Sequence, residues 1–120
     1  FESDKLKAII DFEEACYYYC GFDIGMSIIG LCKDAGQINW GKVKFLLQGY
    51  EQVRPLEPTE KESIQFFTAY AAAATSSWRY WKYNFDSPNP ERKNKHWEMV
   101  NISKGVSNSE ADDFLRRIFS

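Results

Sequence analysis

The longest regular pattern in the sequence is helical and runs from Pro58 to about Tyr83. Apolar side chains recur through it at helical spacing, and only a helix keeps such positions on one face over this length. Thr59 is the predicted N-cap, with Glu62 as its capping-box partner. A long apolar face needs neighbours along it, so we expect this helix to be mostly buried. The repeating positions are Ile64, Phe67, Tyr70, Ala71, Ala74, Trp78 and Trp81.

The flanking sequence adds a short strand and several shorter helices. Leu6 to Phe12 reads LKAIIDF, an apolar stretch that predicts a short buried strand, with a hairpin before it. Asp23 precedes the next helical pattern as a candidate N-cap. The predicted fold class is mainly α, with a short N-terminal β-hairpin or strand. The shorter helices are predicted at about residues 23–33, 39–53, 93–103 and 109–119.

Charge and cysteine content indicate which binding partners and which cellular compartment to expect. The net charge is only −2, with both signs interspersed, so neither nucleic acid nor an anionic membrane is an expected partner. No apolar run reaches the ~20 residues of a membrane-spanning helix. The three cysteines lack the paired spacing of a zinc site, and we expect reduced thiols in a cytoplasmic protein. Because the chain opens at Phe1 without Met, we expect a processed or excerpted chain.

Asp11 stands near the end of the predicted strand, where a buried carboxylate requires compensation. Desolvating an unpaired carboxylate is costly. One interpretation is a hydrogen bond to a nearby turn. The other is a hard cation such as Mg²⁺, which is usually held by one or two carboxylates together with nucleotide phosphates. The residues alone leave both interpretations open.

Three segments resemble a family of kinases. KLKAIIDFEEAC at residues 5–16, followed by DIGMSI at 23–28, resembles the I-D-F/W-x-x-A block of kinase-like phosphotransferases, the aminoglycoside phosphotransferase and choline kinase superfamily. LLQGYEQVRPL at 46–56 and WRYWKYNF at 78–85 are similar to the helical region of type II homoserine kinases. The resemblance implies that residues 1–120 are the C-terminal helical part of such a domain, from the C-terminal lobe of a protein-kinase-like α+β fold.

The resemblance also implies roles for individual residues. Asp11 matches the metal-binding Asp, equivalent in role to the acid of the D-F-G motif, although Glu13 replaces the Gly. Asp23 matches an acid that braces the catalytic loop, with a plain N-cap as the alternative. Glu13, Tyr18 and Arg79 are weaker candidates for binding the acceptor. Packing is the alternative for Tyr18, and a solvated face is the alternative for Arg79.

The activity implied is transfer of phosphate from ATP, with Mg²⁺, to a hydroxyl of a small metabolite such as a homoserine-like or choline-like alcohol. The 120 residues contain no Gly-rich phosphate loop, no strand lysine with a paired acid and no H-G-D-x-x-x-x-N catalytic loop. We therefore expect the N-lobe and the catalytic residues outside this chain, and no activity from the chain alone. The alternatives are a non-catalytic helical interaction or scaffold domain, or a pseudokinase.

Overall fold

The computed structural model describes residues 5–13 and 15–120. The prediction of a mainly helical chain is confirmed. The described residues form five α-helices, one two-stranded antiparallel hairpin and one π-helical turn. In chain order these are α1 (Cys20–Leu31), β1 (Lys33–Asp34), β2 (Gln37–Ile38), α2 (Trp40–Val53), α3 (Pro58–Trp81), the π-helical turn (Lys82–Asp86), α4 (His96–Ser107) and α5 (Ala111–Phe119).

The buried strand predicted from Leu6 to Phe12 is wrong. These residues have no strand assignment, and their apolar side chains face solvent, with Ile9 66% and Ile10 82% exposed. The apolar pattern misled because a strand also needs a ladder partner, and a pattern of side chains does not supply one. Residues 1–4, on which the predicted N-terminal hairpin also depends, lie outside the described residues.

A hairpin instead joins α1 to α2. Lys33 pairs with Ile38 and Asp34 with Gln37, which leaves a two-residue turn. Both turn residues have positive φ, at 48° for Ala35 and 78° for Gly36. These values match the type I′ turn, whose twist suits the flanking strands.

The long helix α3 packs against α1, α4 and α5, and its buried face includes Ile64, Phe67 and Ala71. The prediction that the whole apolar repeat is buried is wrong at four positions, which are exposed: Tyr70, Ala74, Trp78 and Trp81.

Helix α1 runs alongside α3 in the same direction, because Gly21 contacts Ser63 and Phe67 while Gly25 contacts the backbone of Phe67 and Thr68. The core is aliphatic. Its most deeply buried large side chains are Phe114, Ile28, Leu47, Ile64, Met99 and Val43.

Helix α4 packs antiparallel against α3 and is held there by polar contacts as well. The Gln65 amide donates to the carbonyl of Val106 at 2.9 Å, near one end of the pair. The Ser103 hydroxyl donates to the carbonyl of Ala69 at 3.0 Å, further along. Because these partly buried contacts join side chains of one helix to backbone carbonyls of the other, they fix the register of α4 on α3.

Helix α5 closes the opposite side of the core, against α2. It buries Phe114 and Ile118 and exposes its charges, as expected of an amphipathic helix. The rings of Trp40 and Phe114 meet edge to face at 5.6 Å. The predicted apolar positions Val43 and Leu47 of α2 lie beneath it and are buried.

Two predicted N-caps are displaced. The capping box of α3 pairs Glu57 with Glu60, and Pro58 occupies the first turn, so the predicted cap at Thr59 is wrong. Helix α1 begins at Cys20, after an N-cap at Tyr19, so Asp23 is not its N-cap but lies in its first turn. Sequence patterns place helix ends less well than helix centres, because several adjacent polar residues can cap.

The C-terminal end of α3 widens into the π-helical turn, whose closing bond runs from the amide of Ser87 to the carbonyl of Lys82 at 2.8 Å. Pro88 and Pro90 follow, which explains why helical structure ends there. Among the described residues, no helix combines the length and apolarity needed to cross a bilayer.

Candidate functional site

A groove of about 480 Å³ lies where the first turn of α1 faces the middle of α3. The segment before α1 supplies one wall, and α1 and α3 supply the others. This groove brings together two of the predicted site residues, Tyr18 and Asp23. Its lining residues are Ala15, Cys16, Tyr18, Phe22, Asp23 and Tyr70.

The walls of the groove are aromatic and mutually braced. The rings of Tyr18 and Phe22 meet edge to face with their centroids 5.5 Å apart, and the ring centroids of Phe22 and Tyr70 are 5.7 Å apart. Phe66 stacks on Tyr70 at 6.2 Å with the rings nearly parallel. Such ring pairs are stabilising beyond the area they bury, by about 0.5–1.5 kcal/mol each. The ring faces are therefore held in place around the opening.

Asp23 is the only charged side chain among the described residues that line the groove. It lies in the first turn of α1, where the helix dipole favours a negative charge. Its side chain is exposed and makes no hydrogen bond or ion pair to another described residue. A carboxylate beside aromatic faces suits a small cation, since both attract positive charge.

Asp11 lies on the exposed segment that precedes the groove. Its backbone φ is 75°, in the left-handed region that non-glycine residues adopt at a cost of about 1–2 kcal/mol. Its carboxylate is exposed and has no hydrogen-bond or ion-pair partner among the described residues. The prediction that Asp11 is a buried carboxylate, on which both the turn interpretation and the cation interpretation depended, is therefore wrong. Its oxygens are free to bind an external ligand.

Glu13 shares this exposed segment and does not line the groove. Within residues 5–13 and 15–120, no three acidic, cysteine or histidine side chains are grouped so that they could hold a metal ion. Mg²⁺ bound to a nucleotide does not need such a group, because phosphates and water fill most of its coordination shell. The chemistry of Asp11 fits one carboxylate ligand to such an ion.

Arg79 lies elsewhere, at the far end of α3. It donates to the Glu98 carboxylate at 2.7 Å, and Lys33 donates to the other carboxylate oxygen at 2.7 Å. Arg79 is nine residues beyond Tyr70 and so about 13 Å further along the helix axis. The two ion pairs tie β1, the end of α3 and the start of α4 together, which gives Arg79 a structural role in this chain.

The two partners of Glu98 shift the pKa of its carboxyl group. Burial alone would raise the pKa of the Glu98 carboxyl, but the hydrogen bonds from Lys33 and Arg79 together lower that pKa below its ordinary value. The charged form is therefore the one that the fold stabilises. This cluster could not be predicted from sequence, because its members are distant along the chain.

Sequence reasoning missed part of the groove. The sequence does not single out Phe22, and it predicts Tyr70 only as part of the apolar repeat of α3, whereas both line the opening and Tyr70 is 46% exposed. Cys16 also lines the groove and is exposed, while Cys32 is buried. The signal available in the sequence was an aromatic residue at a helical core position. Whether such an aromatic residue is buried or lines a groove depends on which helix packs against that position.

Part of the chain is similar to homoserine kinases. It is 43% identical over 65 residues to the homoserine kinase of Parvibaculum lavamentivorans, a match that covers 53% of this chain and 20% of that protein. The homoserine kinases of Caulobacter vibrioides and Agrobacterium fabrum are 39% and 36% identical over 74 residues, covering 60% of this chain and 23% of each relative. No family model matches the chain, and no solved structure matches it.

The chain spans about a fifth of the length of the curated relatives it matches. The similarity supports a relationship to kinases. Their substrates and activity are properties of the longer proteins.

Proposed function

We propose that this chain is the C-terminal helical part of a kinase-like phosphotransferase that transfers phosphate from ATP to the hydroxyl of a small alcohol, homoserine-like in the first instance. The observation that carries the proposal is the partial similarity to homoserine kinases. Sequence outside these 120 residues supplies the phosphate-binding loop and the catalytic base. The helices described here supply one wall of the acceptor site.

Asp11 is the proposed ligand of Mg²⁺. Its exposed carboxylate, without a partner among the described residues, and its strained backbone both support a role outside packing. Strained backbone conformations cluster at functional sites, where the rest of the structure holds them in place. A magnesium ion at such a site neutralises phosphate charge during phosphoryl transfer.

The groove lined by Tyr18, Phe22, Asp23 and Tyr70 is the proposed binding site for the acceptor. Homoserine-like and choline-like alcohols both carry a positively charged nitrogen. The Asp23 carboxylate and the aromatic faces would bind that nitrogen and leave the hydroxyl free to react. Glu13, on the exposed segment before the groove, is a further proposed contact. In this proposal Arg79 stabilises the helices and does not contact the acceptor.

The test is turnover of Mg-ATP by the full protein against homoserine, choline and uncharged alcohols, with Asp11→Asn as the decisive variant. Asparagine tolerates the left-handed backbone but loses the charge, so the fold is kept. We expect turnover to fall roughly 100-fold or more, because a metal ligand has been removed. Wild-type turnover by the Asp11→Asn protein, or no turnover of any alcohol by the wild type, would refute the proposal.

The exposed segment also favours a second candidate function, a non-catalytic interaction domain. Leu6, Ile9, Ile10 and Phe12 are each at least 60% exposed, and exposed apolar clusters often mark binding surfaces. A protein that binds neither ATP nor small alcohols but associates through this segment would fit that candidate. Replacing Ile9 and Ile10 by Ser should then abolish association without altering the helical fold.

A further inference from the structure

A second cavity, of about 320 Å³, lies between the hairpin, α4 and α5 and shares no lining residue with the groove. Its size falls within the range typical of small-molecule sites. Ile38 and Ile102 form an apolar floor, Trp40 stands at one side, and Gln37 and Asn101 lie at the rim. Arg117 contributes the only charged side chain among the described residues that line it.

Arg117 differs from the neighbouring arginine in its contacts. Arg116 pairs with the carboxylate of Asp113. Arg117 makes no ion pair or hydrogen bond to another described residue, and its guanidinium lies over the Trp40 ring at 5.6 Å. The contact with the ring leaves the guanidinium N–H donors unused. A guanidinium with free donors is suited to bind an oxyanion through two hydrogen bonds.

The surroundings favour an anion further. No carboxylate from a described residue lines the cavity, and the side-chain amides of Gln37 and Asn101 make no hydrogen bond within the described chain. An adjoining cavity shares Trp40 and Arg117 and is also lined by Lys44 and by the Asp113–Arg116 ion pair. The apolar floor would contact a hydrocarbon body, and the cation and amides would bind its charged end.

We propose that this cavity binds a small organic anion, an apolar body carrying one carboxylate or phosphate group, at a site distinct from the proposed acceptor groove. The carboxylate and the phosphate share the chemistry that Arg117 recognises. This site does not depend on the kinase assignment, since none of its residues belongs to the groove or to the Asp11 segment.

The experiment is a titration of the full ¹⁵N-labelled protein, followed through the Trp40 indole and Asn101 amide resonances. Benzoate and phenyl phosphate test the two kinds of oxyanion. Benzyl alcohol supplies a similar body without charge, and inorganic phosphate supplies charge without the body. We expect saturable shifts of both resonances with benzoate or phenyl phosphate, and much weaker binding of benzyl alcohol and inorganic phosphate.

Two matched variants give the residue test. Arg117→Gln should weaken binding about tenfold or more, because it removes a charge-assisted hydrogen bond. Arg116→Gln, on the same helix but paired with Asp113, should leave binding unchanged. If Arg117→Gln does not fold, Asn101→Asp puts a negative charge at the rim and should also weaken binding. Absence of saturable shifts, equal binding of benzyl alcohol, or equal loss in both arginine variants would overturn the proposal.

Discussion

The carbonyl oxygen of Phe67 lies 2.6 Å from the position that a Cβ atom on Gly25 would occupy. Real Cβ atoms do not approach a backbone oxygen so closely, and neither helix can yield without moving its backbone. The absence of a side chain at Gly25 therefore sets how closely α1 packs against α3. Since α1 carries Phe22 and Asp23 while α3 carries Tyr70, this contact also sets the width of the groove.

Replacing Gly25 by Ala should destabilise the protein by about 1–3 kcal/mol or more, because the added methyl group overpacks the helix contact. The gain in helix propensity, about 1 kcal/mol, offsets only part of that loss. Chemical denaturation measures the change. Gly30→Ala is the matched control, since nothing lies within 4 Å of its Cβ position on the same helix. That variant should be neutral or slightly stabilising, and an equal loss in both would contradict the packing argument.

Replacing Ala35 by Asn should stabilise the hairpin. Ala35 has a φ of 48°, which an alanine adopts at a cost of about 1 kcal/mol or more, whereas Asn-Gly is the preferred pair for this turn. We expect the free energy of unfolding to rise by about 0.5–1 kcal/mol. The control is Ala73→Asn, at an exposed position within α3, where the same change should destabilise. Thermal unfolding of the two variants should therefore shift in opposite directions.

Replacing Glu98 by Gln should reduce stability at neutral pH by about 1–2 kcal/mol, because two charge-assisted hydrogen bonds, from Lys33 and Arg79, are weakened. The pKa of Glu98 is lowered in the folded state. Its stabilisation is therefore complete above the unfolded pKa of about 4.3 and is lost as the pH falls through the folded pKa. Between pH 7 and pH 3 the wild type should lose more stability than Glu98→Gln.

The control for this pH dependence is Glu62→Gln, which removes an exposed carboxylate that makes no ion pair to a described residue. Between pH 7 and pH 3, this variant should lose as much stability as the wild type does. A loss of the same size in Glu98→Gln and wild-type protein would show that the charge of Glu98 contributes no stability at neutral pH.

Replacing Tyr18 by Ala should raise KM for a cationic alcohol about two- to fivefold in the full protein, because one aromatic face of the groove is removed. KM for ATP should not change. Tyr17 is the matched control, since it is adjacent in sequence, fully exposed and outside the groove. Tyr17→Ala should have no effect on either constant. Equal effects of the two substitutions would assign the acceptor to another surface.

The helical parts of this fold were largely predictable because their signals are local. The apolar repeat identified α3, although only Ile64, Phe67 and Ala71 of it are buried. Asn39 marked the start of α2, where its side chain accepts from the amide of Lys42 at 3.1 Å. Capping and periodicity depend on residues within a few positions of each other. Leu31, by contrast, is an apolar residue of α1 that is 70% exposed, because a local pattern does not show which positions a neighbouring element covers.

The predictions that failed concern residues whose partners are distant in sequence. A strand at residues 6–12 required a ladder that the side-chain pattern could not reveal. The groove required knowing that Tyr70 faces Phe22, and the Glu98 cluster required the meeting of β1 with the end of α3 and the start of α4. Of the predicted site residues, Tyr18 and Asp23 are brought together, and Arg79 is placed apart from them. The roles of Asp11 and Glu13 remain predictions that turnover assays can test.

The parallel arrangement of α1 and α3 has a consequence for how the chain folds. Helices α3 and α4 can meet as a hairpin across a short connection, whereas α1 reaches α3 only after the hairpin and α2 have been enclosed in a loop. Closing the longer loop costs more chain entropy, and this cost arises before any favourable contact has formed. We expect α1 to dock last and to detach first, so its backbone amides should exchange with deuterium before those of α3. The groove would then open and close with the docking of one helix.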